Sequence, residues 1–234
     1  MTLRNGLRAC LTTACLASLT VTQAPAATLA EYDFEGSVSP LQSIDSDTTT
    51  DASPVSFGTA GDFTNGAILN IGEAAYIRVS NADSNLSTAI SNEDYLTFSI
   101  NLAAGETDFS IDQISYLHHL TDTQNGHTYN SYLFSSVNGG LTGNEIASST
   151  FEVTPESGDS DDTEKNATVV FDAAGAGGYD SLTGSVTFWI VVTDTSTQGG
   201  HTHGIDNILV TPEPGSLALL GLGGLCVLWR RRNA

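Results

Sequence analysis

Carboxylates are the most numerous side chains in this chain that could do chemistry. The sequence has 27 Asp and Glu residues against 7 Lys and Arg residues. Between residues 27 and 211 there are 26 acidic residues and only two basic ones, Arg78 and Lys165, which gives a formal charge of −24. In so acidic a chain, two neighbouring carboxylates carry no information about glycoside hydrolysis, although that reaction uses such a pair. The sequence therefore identifies no catalytic residue among them.

Other catalytic signatures are missing from the sequence. It contains no Gly-x-Ser-x-Gly, no His-Glu-x-x-His, no phosphate-binding loop and no dinucleotide fingerprint. The negative charge also repels nucleic acid, whose binding requires Lys and Arg to neutralise phosphates. We therefore predict a protein that is not an enzyme and has no nucleic-acid partner. The same charge suits a protein that stays soluble in a saline exterior, where screening reduces self-repulsion.

The histidines and aromatic residues are the remaining candidates for binding. The chain has five histidines, at His118, His119, His127, His201 and His203. Their imidazoles could bind zinc or copper, but the glycines around several of them favour exposed loop residues without a metal. Among the aromatic residues, Trp189, Tyr129 and Tyr132 could offer flat faces to sugar rings. The alternative for Trp189 is that it covers a sheet edge or packs under a loop.

Strands separated by polar turns fill the stretch from residue 27 to residue 210. Tyr95–Leu102 and Ser185–Asp194 both alternate apolar and polar residues, which predicts strands with one buried face. In the second of these, Trp189 falls on the face opposite Phe188 and Ile190. Seven further strands are predicted at Ala30–Glu35, Ala67–Ile71, Ala75–Val79, Phe109–Leu117, Tyr129–Val137, Ala167–Asp172 and Ile205–Val210. The fold class that follows is all-β, a two-sheet antiparallel β-sandwich with a turn or two of helix.

The N-terminus has the three parts of a secretory signal peptide. Arg4 and Arg8 supply the positive start, Ala9–Val21 supply a mostly apolar stretch, and Ala24-Pro25-Ala26 supply a cleavage pattern of small residues. We predict that residues 1–26 are removed and that the mature chain begins near Ala27.

The C-terminus combines a proline-containing segment, an apolar run and a basic end. Pro212-Glu213-Pro214 cannot continue a helix or pair within a sheet, so the segment is predicted to be an extended, accessible hinge. As a helix, the apolar run 215–229 would be about 22 Å long, shorter than the roughly 30 Å hydrocarbon core of a membrane. Arg230, Arg231 and Arg232 would hold its end at the cytoplasmic interface and orient the upstream chain outward.

These three parts, in this order at the end of the chain, resemble the PEP-CTERM sorting signal of Gram-negative bacteria. Thr211 stands where that family often has Val. The resemblance implies recognition of residues 211–234 by exosortase, a transpeptidase-like membrane protease, with residues 215–232 in the inner membrane before processing. It also implies an association with exopolysaccharide and biofilm, and a final location in the cell envelope or outside the cell.

The stretch 27–210 is similar to jelly-roll domains of the carbohydrate-binding-module type, through the acidic segment Glu31–Gly36 at its start and Gly204–Val210 at its end. In such domains an acidic first strand and an Asp in the last strand often share a structural calcium ion. The resemblance therefore implies calcium ligands among Glu31, Asp33 and Glu35, together with Asp206. Calcium takes six to eight oxygen ligands, of which such a cluster could supply several.

We therefore expect an exported, surface-sorted protein of the extracellular matrix, associated with exopolysaccharide and without enzymatic activity. Two alternatives stay open. The first is a glycan-binding module that uses Trp189 and nearby tyrosines, and the second is a secreted polysaccharide hydrolase or lyase.

Overall fold

The computed structural model describes residues 28–34, 50–57, 64–71, 74–80, 83–121, 127–153, 165–195 and 202–213. The predicted signal peptide and the apolar run 215–229 lie outside these residues. Within them, no helix has the length and apolar character needed to cross a membrane.

Twelve strands, two short helices and two 3-10 turns make up the described part of the chain. The strands are β1 (Ala30–Tyr32), β2 (Thr50–Ala52), β3 (Ser56–Phe57), β4 (Thr64–Ile71), β5 (Ala74–Ser80), β6 (Tyr95–Leu102), β7 (Ile111–Thr121), β8 (His127–Ser135), β9 (Ala147–Val153), β10 (Lys165–Asp172), β11 (Ser185–Asp194) and β12 (Thr202–Pro212). The helices are α1 (Leu86–Ser91) and α2 (Ala173–Ala176), and the 3-10 turns are Ser136–Asn138 and Gly140–Thr142.

The strands form two antiparallel sheets, which confirms the predicted β-sandwich. The first sheet has the order β10-β7-β12-β5-β4, with β1 also paired to β12. The second has the order β2-β6-β11-β8-β9, with β3 also paired to β6. Each of the nine predicted strands overlaps a strand of these two sheets.

Apolar side chains at alternate positions of both sheets fill the space between them. In β6, Leu96, Phe98 and Ile100 are buried, as the alternation predicts. The ring of Phe98 lies 5.3 Å from that of Phe188 in β11 and 5.3 Å from that of Tyr32 in β1. The first contact joins neighbouring strands of the second sheet, and the second crosses the sandwich. Burial of apolar surface of this kind stabilises a domain whose residues 27–210 include no cysteine.

The second half of strand β11, from Ile190 to Asp194, is buried on both faces, which the sequence pattern did not indicate. Val191 and Thr193 belong to its predicted polar face but are 0% and 1% exposed. Helix α1 packs over this face, and its Ala89 joins Val191 and Phe134 in a second apolar cluster. The helix begins after Asn85, whose side chain accepts a hydrogen bond of 3.0 Å from the Thr88 N–H.

Two buried tyrosine hydroxyls tie the sheets together. Tyr116 in β7 shares a 3.0 Å hydrogen bond with Ser131 Oγ in β8, and burial raises the pKa of this tyrosine. Tyr32 in β1 donates a 2.5 Å bond to the carbonyl oxygen of Ser53, between β2 and β3. Buried polar groups are stable in an apolar core when they are bonded in this way.

Three strands were not predicted from the sequence. Strands β2 and β3 are only three and two residues long, too short for an alternating pattern. Strand β9 reads Ala-Ser-Ser-Thr-Phe-Glu-Val and, among the described strands, lies at the edge of the second sheet, paired with β8. An edge strand buries less surface than a central one, so its sequence carries a weaker apolar signal.

Candidate functional site

The C-terminal proline motif begins inside the last strand of the sandwich. In β12, Thr211 pairs with Gln113 and Pro212 pairs with Ile111 of β7, with an irregularity in register between the two pairs. The prediction that this segment does not pair within a sheet is therefore wrong for Pro212. Proline is tolerated here because it stands at the end of the strand and beside an irregularity, where a ladder hydrogen bond is not needed.

Glu213 follows this strand and lies among carboxylates at the end of the sandwich. A hydrogen bond with the side chain of Asp180 is the main reason why the pKa of Glu213 is raised. Burial and the negative charges of Asp180 and Asp112 raise it further. The glutamate of the motif thus contacts the folded domain. Pro214, Arg230, Arg231 and Arg232 lie outside the described residues.

The acidic first strand does lie beside the last strand, as the resemblance to jelly-roll domains implies. Strand β1 pairs with β12 through Glu31 opposite Leu209 and Tyr32 opposite Ile208. Asp206 is only 3% exposed, and its carboxylate accepts hydrogen bonds of 2.7 Å from the Asn207 N–H and 3.1 Å from Asn207 Nδ2. Glu35 lies outside the described residues. In the described ranges no group of three or more His, Cys, Asp or Glu side chains could hold a metal ion, and calcium binding stays a prediction.

Trp189 lies on the outer face of the second sheet, opposite the buried face that carries Phe188 and Ile190. It is partly buried in the cluster of Ala89, Phe134 and Val191. The 3-10 turn Gly140–Thr142 lies against it, since a Cβ on Gly140 would be 3.5 Å from Cη2 and Cζ3 of the indole. One edge of the ring therefore packs under a turn, which was the alternative to a sugar-binding role.

The two tyrosines proposed with Trp189 differ in exposure. Tyr132 is partly exposed and belongs to the same outer cluster as Trp189. Tyr129 is 1% exposed and packs with Leu120 and Phe151 between the sheets. Its ring cannot stack on a sugar in this structure, so the proposed binding role is wrong for Tyr129 and stays a prediction for Trp189 and Tyr132.

His127 and His203 do not lie in the loops that the neighbouring glycines suggested. His118 and His119 lie in β7, His127 begins β8 and His203 lies in β12. His201 is outside the described residues. His118 is 0% exposed and its ring centroid lies 5.0 Å from that of Phe151. Burial, together with the charge of His119, lowers the pKa of His118 from 6.5 to about 3, so this histidine is a neutral residue of the core.

Comparison with known proteins identifies the C-terminal segment. Residues 210–232 match the PEP-CTERM protein-sorting motif, which confirms the resemblance found in the sequence. The motif marks an exported surface protein that is transiently anchored in a Gram-negative cell envelope and processed by an exosortase-type partner. A search of curated protein sequences found no similar protein.

Several solved structures resemble the sandwich at low identity. A carbohydrate-binding module specific for non-crystalline cellulose, CBM28, is 10% identical with a TM-score of 0.38, covering 62% of this chain and 78% of the module. The CBM22-1 xylan-binding domain of Paenibacillus barcinonensis Xyn10C is 9% identical with a TM-score of 0.34, covering 80% and 95%. A cyclase from Fischerella sp. TAU is 14% identical with a TM-score of 0.31, covering 79% and 84%. Similarity at this level does not extend to ligand or activity.

Proposed function

We propose that this chain is a non-enzymatic component of the extracellular matrix, associated with exopolysaccharide and released after processing near Pro212-Glu213-Pro214. The observation that carries the proposal is the position of the sorting motif, whose match begins at residue 210, within the last three residues of the last strand of the sandwich. Processing beyond Pro212 would leave every described strand on the released product. The acidic surface supports a soluble protein outside the cell.

The intact mass of the protein released from the cell surface tests this proposal directly. A mass that corresponds to a chain beginning near Ala27 and ending near residues 212–214 would support it. Full-length protein in the cytosol, or turnover of polysaccharide by the released protein, would contradict it.

Replacing Glu213 with alanine is expected to block C-terminal processing. The exosortase-type partner recognises the motif, and this change removes its only charged side chain within Pro212–Pro214. Immunoblots of membrane and released fractions should then show the precursor retained in the membrane. Thr211→Val is the matched control, since it changes a residue outside Pro212-Glu213-Pro214 to the one that the family often has, and it should be processed normally. Equal release of both variants would contradict the prediction.

A glycan-binding module is the second candidate, favoured by the partly exposed Trp189 and Tyr132 on one sheet face. A glycan array with the released protein, with and without calcium, separates this function from a purely structural one. Loss of an observed signal in Trp189→Ala would locate the binding surface.

Calcium is expected to stabilise the domain if acidic residues of β1 and β12 share an ion. Selective binding to the folded state would raise the melting temperature by about 5–10 °C at a calcium concentration about 100 times the dissociation constant. Thermal denaturation with millimolar calcium, and again after chelation, measures the shift. Asp206→Asn should remove it, whereas Glu152→Gln on exposed strand β9 should not. An unchanged melting temperature in both conditions would exclude the calcium site.

A further inference from the structure

The outer face of the first sheet contains a pocket with a volume of about 290 Å³. Its side-chain lining consists of Glu31, Ser115, Leu117, Thr168, Asn207 and Leu209. Tyr116 borders it as well, but its ring is 1% exposed and its hydroxyl is bonded to Ser131 in the core. The pocket therefore lies outside the sandwich, on four adjacent strands, and it is separate from the aromatic cluster around Trp189.

A β-bulge in β12 shapes this pocket. The register of β12 against β7 shifts between Asp206 and Leu209, and Asn207 adopts a left-handed conformation with φ of 50°. The nearly buried carboxylate of Asp206 holds Asn207 through its main-chain and side-chain N–H groups. Asn207 itself is exposed. Bulges often re-aim a side chain at functional sites, and the residue at this bulge, Asn207, lines the same pocket as Glu31.

The register explains how the other lining residues come together. Glu31 pairs with Leu209, and Leu209 pairs with Ser115, so these three side chains form one row across β1, β12 and β7. In the adjacent row, Thr168 of β10 pairs with Leu117. The result is one carboxylate, one amide and two hydroxyls around two leucine side chains.

We propose that this pocket binds a small organic ammonium ion, with its charged group at Glu31 and its apolar part on Leu117 and Leu209. The lining contains one acidic side chain and no basic one, within a stretch whose formal charge is −24. Such a field raises the local concentration of cations and repels anions. The ammonium group can donate hydrogen bonds to the Glu31 carboxylate and to Asn207 Oδ1.

The volume of the pocket and its two leucine side chains indicate the size and character of the uncharged part of the ligand. Ligand pockets typically range from about 300 to 1,000 Å³ and combine apolar walls with a few polar groups. This pocket is at the lower limit of that range, which suits a cation with a short alkyl chain. The proposal is independent of the matrix function, but it shares Glu31 with the predicted calcium site, so calcium would compete with the ammonium ion for that carboxylate.

The test is NMR titration of the ¹⁵N-labelled, surface-released protein with n-butylammonium chloride at 150 mM NaCl. We expect saturable shifts in the amide signals of residues 115, 117, 207 and 209, including the side-chain amide of Asn207. n-Butanol and butyrate at the same concentrations should not produce these shifts. The neutral probe retains the alkyl chain and the anionic probe reverses the charge, so the three together separate ammonium recognition from apolar binding.

Glu31→Gln should weaken n-butylammonium binding at least fivefold, and Asn207→Gly, which preserves the left-handed conformation, should weaken it while keeping the bulge. Glu145→Gln, an exposed acidic position in the second half of the chain, is the matched control and should leave binding unchanged. Equal binding of butanol, or equal loss in Glu31→Gln and Glu145→Gln, would overturn the proposal. Unchanged melting temperatures verify that the variants fold, and if Glu31→Gln does not fold, Asn207→Gly gives the decisive comparison.

Discussion

Replacing His118 with leucine is expected to change how the free energy of unfolding depends on pH. The His118 side chain should make the wild type about 2 kcal/mol more stable at pH 7.5 than at pH 5.0, and the leucine variant should lack this contribution. His118 is fully buried in β7, flanked by Ala167 of β10 and Ile205 of β12. Its pKa falls from 6.5 to about 3 on folding because burial disfavours the charged ring, and the charge of His119 adds to this effect.

The sign follows from proton binding. A histidine with a lowered pKa binds fewer protons in the folded chain than in the unfolded chain, so acid favours unfolding. The stabilising contribution is complete above pH 6.5 and is lost as the pH falls from 6.5 towards 3, at about 1.4 kcal/mol per pH unit. Titration of the many carboxylates adds its own pH dependence, but that contribution is common to wild type and variant.

Urea denaturation of both proteins at the two pH values measures the effect. Leucine also changes the packing of the core, but this changes the free energy of unfolding equally at both pH values. It therefore cancels when the two values are subtracted for each protein. His119→Asn, on the opposite face of the same strand, is the control and should retain most of the wild-type difference. If His118→Leu retains it fully, the residue does not titrate in this way.

Replacing Gly143 with alanine is expected to destabilise the domain by about 1–3 kcal/mol. A Cβ at this position would lie 1.9 Å from the main-chain oxygen of Asn138. Two non-bonded atoms cannot be so close, so the backbone of one of the two turns must move. Asn138 is itself anchored, since its Oδ1 accepts a 2.7 Å hydrogen bond from the hydroxyl of Tyr179. The turn that contains Gly143 must therefore move relative to Asn138.

Trp189 reports on that shift, because Gly140 of the same turn packs on its indole. Trp189 and Trp229 are the two tryptophans of the chain, so a Trp229→Phe background isolates the signal. We expect a red-shifted emission together with a melting temperature lower by about 2–4 °C for each kcal/mol lost. Asn144→Ala, the next and exposed residue, should change neither. Wild-type emission and melting temperature in Gly143→Ala would show that the turn tolerates a side chain.

Local patterns in the sequence determined the fold class and the sorting signal. The alternation in Tyr95–Leu102 and Ser185–Asp194 predicts both strands with their bounds, because a strand with one buried face has a period of two residues. The C-terminal motif is likewise contiguous, so residues 210–232 are recognisable without any knowledge of their neighbours.

Other features depend on contacts between distant residues. The second buried face of β11 exists because α1 packs on it, and Tyr129 is buried because Leu120 and Phe151 come from other strands. The docking of Pro212 depends on β7, and the environment of Glu213 depends on Asp180. The pocket at Glu31 and Asn207 requires a strand pairing and a bulge that bring the first and last strands together. Side-chain period determines which residues share a face, but only the register between strands decides which faces meet, and that register results from packing of the whole sandwich.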